Sequence, residues 1–201
     1  MTHDAPGTAA HEPHGRKFPP EKWDRLLTPQ RQAFLDAGWV LDRAAITPGM
    51  HVADLGAGPG FFTLPLADRV GPGGVVYATD ISPEMLAALK NRGVPGHVTL
   101  LHAGENTIPI PDAAVDVALL AFVLHELLHP AAFLREVQRI LRRDGRLVVL
   151  EWIPQDDGMG PPIGERISET ATRALLESVG YTVVDRAAAN PSQYLLIATP
   201  G

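Results

Sequence analysis

Cysteine is absent from this chain of 201 residues. That excludes a disulfide framework, a Cys-ligated zinc site, an iron–sulfur cluster and a thiolate nucleophile, and it fits a reducing cytosol. Also missing is any apolar run near the roughly 18 residues of a membrane-spanning helix, and the N-terminus lacks the apolar segment of a secretory signal. Basic residues are outnumbered, 17 Lys and Arg against 23 Asp and Glu, for a net charge of −6. No broad positive field is therefore available to draw in nucleic acid or anionic lipid by counterion release. The expectation is a cytoplasmic protein with a small-molecule partner, no nucleic acid and no membrane; nothing in the sequence speaks to oligomeric state. What is plentiful is apolar side chains, 45% of the total, enough in a chain of this length for one full core.

Residues 1–28 are rich in Pro, Gly and His and carry few apolar groups, so they cannot form a core of their own. From Thr28-Pro29, an N-cap followed by Pro at the first helical position, Phe34, Ala37, Leu41 and Ala44 recur with helical spacing. A boundary follows near Ile46. It divides an N-terminal arm and helix, residues 1–45, read as a lid, from a ligand-binding domain at 46–201.

Beyond that boundary, short Val- and Leu-rich runs at 51–55, 75–79, 98–101, 115–120 and 146–151 are bounded by Gly, Pro or Asp. Such near-continuous apolar runs suit strands buried on both faces. Helical segments alternate with them, one opening at Phe61, one at Ser82-Pro83 and ending at Gly93, and one at Pro130 and ending at an Asp144-Gly145 turn. After Ser168 a last helix reaches Gly180, and runs at 181–185 and 193–199 can pair as a hairpin. The pattern predicts a Rossmann-like α/β fold: a doubly wound, mostly parallel seven-stranded sheet, helices on both faces, and a C-terminal antiparallel hairpin.

Asp54-Leu55-Gly56-Ala57-Gly58-Pro59-Gly60 follows the first strand and opens a helix. Glycines there permit a tight turn and close approach of a ligand to the backbone. Asp80 ends the second strand, 24 positions after Gly56, where a carboxylate can accept both hydrogen bonds of a ribose diol. Phe61 stands where a dinucleotide fingerprint needs Gly or Ala, which disfavours NAD. No Lys-Ser or Lys-Thr follows the glycines, which excludes a P-loop. Asp54, two residues before the first glycine, would repel a pyrophosphate but can hold an ammonium group through water.

That combination resembles the class I S-adenosylmethionine-dependent methyltransferases, whose first motif is acidic-x-Gly-x-Gly-x-Gly. Ala78-Thr79-Asp80-Ile81-Ser82-Pro83-Glu84-Met85 looks like the family's second motif. The resemblance implies S-adenosylmethionine as cofactor, held by Asp54, Gly56, Ala57, Gly58, Gly60, Asp80, Ile81, Met85 and Ala121. It places Gly104, Glu105 and Asn106 near the adenine, although the commoner Gly-Asp-Ala is here Ala103-Gly104-Glu105. More narrowly, Phe122-Val123-Leu124-His125-Glu126-Leu127, Glu151-Trp152 and Gly160-Pro161-Pro162-Ile163-Gly164-Glu165-Arg166 are similar to motifs of small stand-alone prokaryotic methyltransferases. The implied activity is in-line methyl transfer to a small molecule, with Phe122 and Trp152 in the acceptor pocket.

His125-Glu126-Leu127-Leu128-His129 also matches H-E-x-x-H, which on a helix puts two zinc ligands and a general base on one face. Here a strand ends just before the motif, Pro130 follows at once, and no His comes later to complete a ligand set. No metal is expected, and a zinc hydrolase is the weakest alternative. His125 and Glu126 are instead expected at the carboxyl edge of the sheet as the catalytic pair, with His125 as base; loop ordering is the competing account. Phe18 and Trp23 are further candidates for pocket walls; for Tyr194 ordinary packing is the expectation, and His3, His11 and His14 suggest a metal by composition but are expected to be solvated. A cofactor-binding protein without turnover is the alternative from another class.

Overall fold

In the computed structural model, which describes residues 17–201, a 3₁₀ stretch at Pro20–Leu27 leads into α1 (Pro29–Phe34) and α2 (Ala37–Arg43). Then follow β1 (His51–Leu55), α3 (Thr63–Val70), β2 (Val75–Asp80), α4 (Pro83–Asn91), β3 (Val98–His102), β4 (Val115–Ala121), α5 (Pro130–Ile140), β5 (Leu141–Trp152), α6 (Glu169–Ser178), β6 (Tyr181–Asn190) and β7 (Gln193–Pro200). The sheet has the order β3-β2-β1-β4-β5-β7-β6, parallel from β3 through β5, with β7 antiparallel to both of its neighbours. This is the doubly wound sheet with the C-terminal hairpin that the strand and helix pattern predicts. No helix among the described residues is long and apolar enough to cross a membrane.

Two apolar layers sandwich the sheet. Val52, Val117, Leu119, Val148 and Leu150 meet Leu66 and Val70 of α3 and Val40 and Leu41 of α2 on one side. Ala53, Leu55, Ala118, Leu120, Leu147 and Val149 meet Phe133, Leu134, Val137 and Ile140 of α5 on the other. Alternate residues of each central strand thus serve opposite layers, which is why those runs lack polar interruptions. Leu35, Val40, Leu41 and Ala44 share the first layer, so α2 is part of the core of the residues that follow it. The helices α1, α4, α5 and α6 start where expected: Ser82 Oγ accepts from the Met85 N–H, Ser168 Oγ from Ala171, and Pro29, Pro83 and Pro130 occupy first turns.

Four boundaries differ from the sequence expectation. The helix read from Thr28 onward is two helices, because Leu35 and Asp36 are extended and the Asp36 carboxylate caps the Trp39 N–H at 3.1 Å. The helix read from Phe61 begins at Thr63, the intervening residues being spent in the glycine turn. Asp144-Gly145 does not end α5. The helix stops at Ile140 where Leu141 turns extended, and residues 142–145 form an irregularity within β5 where its register to β4 shifts. β6 runs on to Asn190, with a register shift that turns Val184 outward.

Candidate active site

The carboxyl ends of β1, β2, β4 and β5 lie side by side, and the site is built there. After β1 the chain turns back over β2: the N–H groups of Gly56 and Ala57 both donate to the Thr79 carbonyl at 2.8 Å. The Gly58 N–H donates to Asp80 Oδ2 at 2.8 Å, while Asp80 Oδ1 accepts from the Ser82 N–H at the same distance. One carboxylate thus joins the glycine turn to the start of α4. Burial raises its pKa, and these N–H bonds act the other way. Each oxygen keeps a second lone pair, the number that two ribose hydroxyls require.

Gly58 and Gly60 illustrate two different needs for glycine. Both have positive φ, 53° and 86°. A Cβ on Gly58 would stand in the cleft, 3.7 Å from Leu26 Cδ1 and 4.0 Å from Met85 Sδ. A Cβ on Gly60 would lie 2.3 Å from Leu89 Cδ1, inside the packing of the turn on α4. A side chain at the first glycine would intrude on the cleft, and one at the second on the helix packing.

A first cavity of about 310 Å³ runs along this edge. Of the expected cofactor residues, Gly56, Gly58, Asp80, Ile81, Met85, Gly104, Glu105 and Asn106 line it. Asp54, Ala57, Gly60 and Ala121 lie outside its lining. Asp54 is buried behind the turn, where its Oδ2 accepts from Thr63 Oγ1 at 2.6 Å, and burial pushes its carboxyl up to about 7. Phe18, Pro19, Pro20 and Leu26 cover the cavity from the N-terminal side, and Lys17 Nζ bonds the exposed Glu105 carboxylate at 2.6 Å. The walls fit a nucleoside whose sugar reaches Asp80 and whose tail passes Gly58.

A second cavity, about 380 Å³, adjoins the first, and Lys17, Phe18, Pro19, Leu26 and Glu126 line both. His125, Phe122 and Trp152 line it. Phe122 follows β4 with φ of 61°, a left-handed conformation that a bulky residue adopts only under constraint. Its ring lies 5.2 Å from that of Trp152, which stacks on Phe34 at 6.1 Å. Gly160, Pro161 and Pro162 form the far wall. Arg166 staples that loop. Its guanidinium donates to the carbonyls of Ile153, Gln155, Met159 and Pro161, pairs with Asp157 at 2.9 Å and lies 5.3 Å from the centre of the Trp152 ring. A Cβ on Gly160 would come within 2.7 Å of that same ring.

At the floor, His125 Nδ1 lies 2.8 Å and 3.0 Å from the two carboxylate oxygens of Glu151, a wholly buried residue. Glu151 Oε1 also accepts the His125 N–H at 3.2 Å. With Nδ1 so engaged, the basic position is Nε2, which faces Glu126 Oε1 at 4.0 Å. Burial acts to lower the His125 pKa, but the charge and hydrogen bond of Glu151, joined by Glu126 and Glu165, raise it on balance. Glu126 is pushed up to about 7, chiefly by burial.

The remaining candidates fall elsewhere. His125 sits in a 3₁₀ turn, Leu124–Glu126, that breaks at Leu127; His125 and His129 then line different cavities, so the H-E-x-x-H residues do not share a helical face. Trp23 is exposed and lines neither cavity. Tyr194 is a packing residue, its O–H donating to the Ile167 carbonyl at 2.9 Å. His3, His11 and His14 lie outside the described residues. Sequence reading missed Arg31 and Lys17 as wall residues, and it gave Glu151 and Arg166 only as members of motifs.

A family model described as a methyltransferase domain matches residues 53–149. Among curated proteins, the ubiquinone/menaquinone biosynthesis C-methyltransferase of Ectopseudomonas mendocina is 31% identical over 153 residues, 74% of this chain and 58% of that protein. Its counterpart from Shewanella frigidimarina is 35% identical over 116 residues, 56% and 46% of the two chains. The chain therefore spans about half the length of the curated relatives it matches. The crystal structure of an S-adenosylmethionine-dependent methyltransferase from Aquifex aeolicus is 33% identical and superposes with a TM-score of 0.88 over 92% of this chain and all of that one. With that likeness carried across the whole sheet and the glycine turn, the chain belongs to the class I S-adenosylmethionine-dependent methyltransferases.

Proposed function

We propose that this protein methylates a small, flat acceptor through an acidic O–H, either on that oxygen or on the ring carbon it activates, with S-adenosylmethionine as donor. The observation that carries the reading is the His125–Glu151 dyad opening into a second cavity that meets the nucleoside cleft at Glu126. When bound, the cofactor supplies a methyl carbon made electrophilic by the adjoining sulfonium. Gly56 and Gly58 admit it, Asp80 holds the ribose, and Ile81, Met85, Gly104, Glu105 and Asn106 enclose the adenine end. Asp54, expected on the ammonium, instead braces the turn from behind through Thr63.

The acceptor lies between Phe122, Trp152 and the Pro161-Pro162 wall. His125 Nε2 takes its proton, while Glu151 accepts the Nδ1–H and stabilises the resulting imidazolium. A deprotonated hydroxyl is a better nucleophile, and on an aromatic ring it also enriches neighbouring carbons, so one base serves O- and C-methylation. Residues 17–27 act as a lid over both ligands, excluding water and aligning donor with acceptor; positioning of this kind is worth many kcal/mol. The curated relatives are named for C-methylation in quinone biosynthesis, which supports a ring acceptor. A second cavity of this size and a net charge of −6 favour a small molecule over a polynucleotide.

Calorimetry with S-adenosylhomocysteine, with NAD as control, tests the cofactor. Formation of S-adenosylhomocysteine from S-adenosylmethionine across a panel of phenols and enols tests the transfer. Binding without turnover on any acceptor would favour a cofactor-binding protein over an enzyme.

A further inference from the structure

Arg31, on α1, is the least expected residue of the second cavity. Its guanidinium carbon lies 5.5 Å from the centre of the Phe61 ring and 5.1 Å from that of Phe122. The two rings come from the glycine turn and from the end of β4, so both sheet-edge loops converge on one cation. Its Nε is sealed from solvent and has no hydrogen-bond partner among the described residues. Burial pulls its pKa down to about 10, which leaves the charge intact at neutral pH.

Enclosed arginines elsewhere in this protein are treated differently. Arg166 has Asp157 and four backbone carbonyls, and even the half-exposed Arg139 has Glu136 and Asp112. A desolvated charge is normally paired. Among the described residues no carboxylate forms an ion pair with Arg31, which meets the ring faces of Phe61 and Phe122 instead, although Glu126 lines the same cavity. A cation held against two aromatic faces, with no carboxylate paired to it among the described residues, is available to an anion on the ligand.

We infer that Arg31 is a specificity-determining residue that receives a carboxylate of the methyl acceptor. Lys17 and Arg25 also line this cavity, but Lys17 is paired with Glu105 and Arg25 is exposed; with Glu126 on the same walls, a monoanion suits the site better than a phosphate dianion. The acceptor is then a flat hydroxy acid or enol acid, its ring between Phe122, Trp152 and the prolines and its hydroxyl directed to His125. This inference rests on the methyltransferase reading above, and its test separates the two.

The protein, saturated with S-adenosylhomocysteine, is titrated with matched pairs of hydroxylated benzoic and naphthoic acids and their carboxamides. The expected result is that the acids which bind do so at least about tenfold more tightly than their amides, as a charge-assisted contact to a desolvated guanidinium should give. In Arg31→Gln the ratio falls to about one, and Arg31→Lys keeps only part of it, with S-adenosylhomocysteine affinity unchanged in both. If Arg31→Gln does not fold, the wild-type ratio and its reduction in Arg31→Lys decide. Equal binding of acid and amide, no binding by any acid of the panel, or a preference that survives substitution overturns the assignment while leaving the cofactor reading intact. Failure of the wild-type protein to bind S-adenosylhomocysteine at all overturns the methyltransferase reading instead.

Discussion

Glu151 grips His125 twice, its carboxylate bonding the ring through Nδ1 at 2.8 Å and the backbone N–H at 3.2 Å. The imidazole is thereby fixed in tautomer and orientation by a group that never touches solvent. Glu151→Gln keeps the shape and removes the charge, so kcat should fall by roughly a hundredfold or more while S-adenosylhomocysteine binding is retained. His125 must be unprotonated to act and its pKa is raised. In the wild type, kcat/KM should therefore climb with pH through an apparent pKa above the ordinary 6.5, and in Glu151→Gln that limb should move to lower pH. An unshifted limb would assign it to another group.

Asp80 is expected to govern the cofactor. Asp80→Asn leaves a side chain that still meets the Ser82 or Gly58 N–H but accepts the ribose diol less well. Its S-adenosylhomocysteine Kd should rise at least about tenfold, with a much smaller loss on thermal unfolding. Calorimetry beside a melting curve separates the two effects.

The two glycines of the turn should fail in different ways. Gly60→Ala drives a methyl into Leu89 at a positive φ, so it should cost about 1–3 kcal/mol of stability. Gly58→Ala meets no atom closer than 3.7 Å, so it should cost only about 1 kcal/mol for its positive φ and chiefly weaken cofactor binding. A Gly60→Ala protein that melts like the wild type would refute the packing role.

Asp54 ties stability to pH. Burial raises its pKa from 3.8 to about 7, so the folded state holds a proton that the unfolded state has released. Stability from this group is complete below about 4 and is lost as pH rises towards 7. Asp54→Asn should abolish that part of the slope, and urea midpoints at pH 5 and pH 8 should converge relative to the wild type. Glu126, raised from 4.5 to about 7, adds a slope of the same sign that survives the substitution.

Much of this was legible in the sequence where the signal is local. β1 and β4 are buried on both faces, so their apolar runs admit few other readings. Gly56, Gly58 and Asp80 are brought together by one strand-turn-helix unit and the next strand, within 24 positions. Asp144-Gly145 misled because the same pair that ends helices also suits an irregularity inside a strand. The Leu35-Asp36 break was hidden because apolar spacing continues across it while Asp36 begins a new cap. Arg31 could not be found by spacing. Its partners Phe61 and Phe122 lie 30 and 91 positions away, and only the closed fold brings their rings to one cation.

The place of β7 bears on how the protein is made. It is the last strand in chain order, yet it lies between β5 and β6 and contributes six consecutive buried residues, from Gln193 to Ala198. A ribosome delivers β5 and β6 first, so during synthesis the inner edge of β5 waits with open backbone groups and bare apolar side chains for a strand not yet made. Substitutions that weaken β7 should then show themselves first as aggregation and poor yield, with near-normal activity in whatever fraction has closed its sheet.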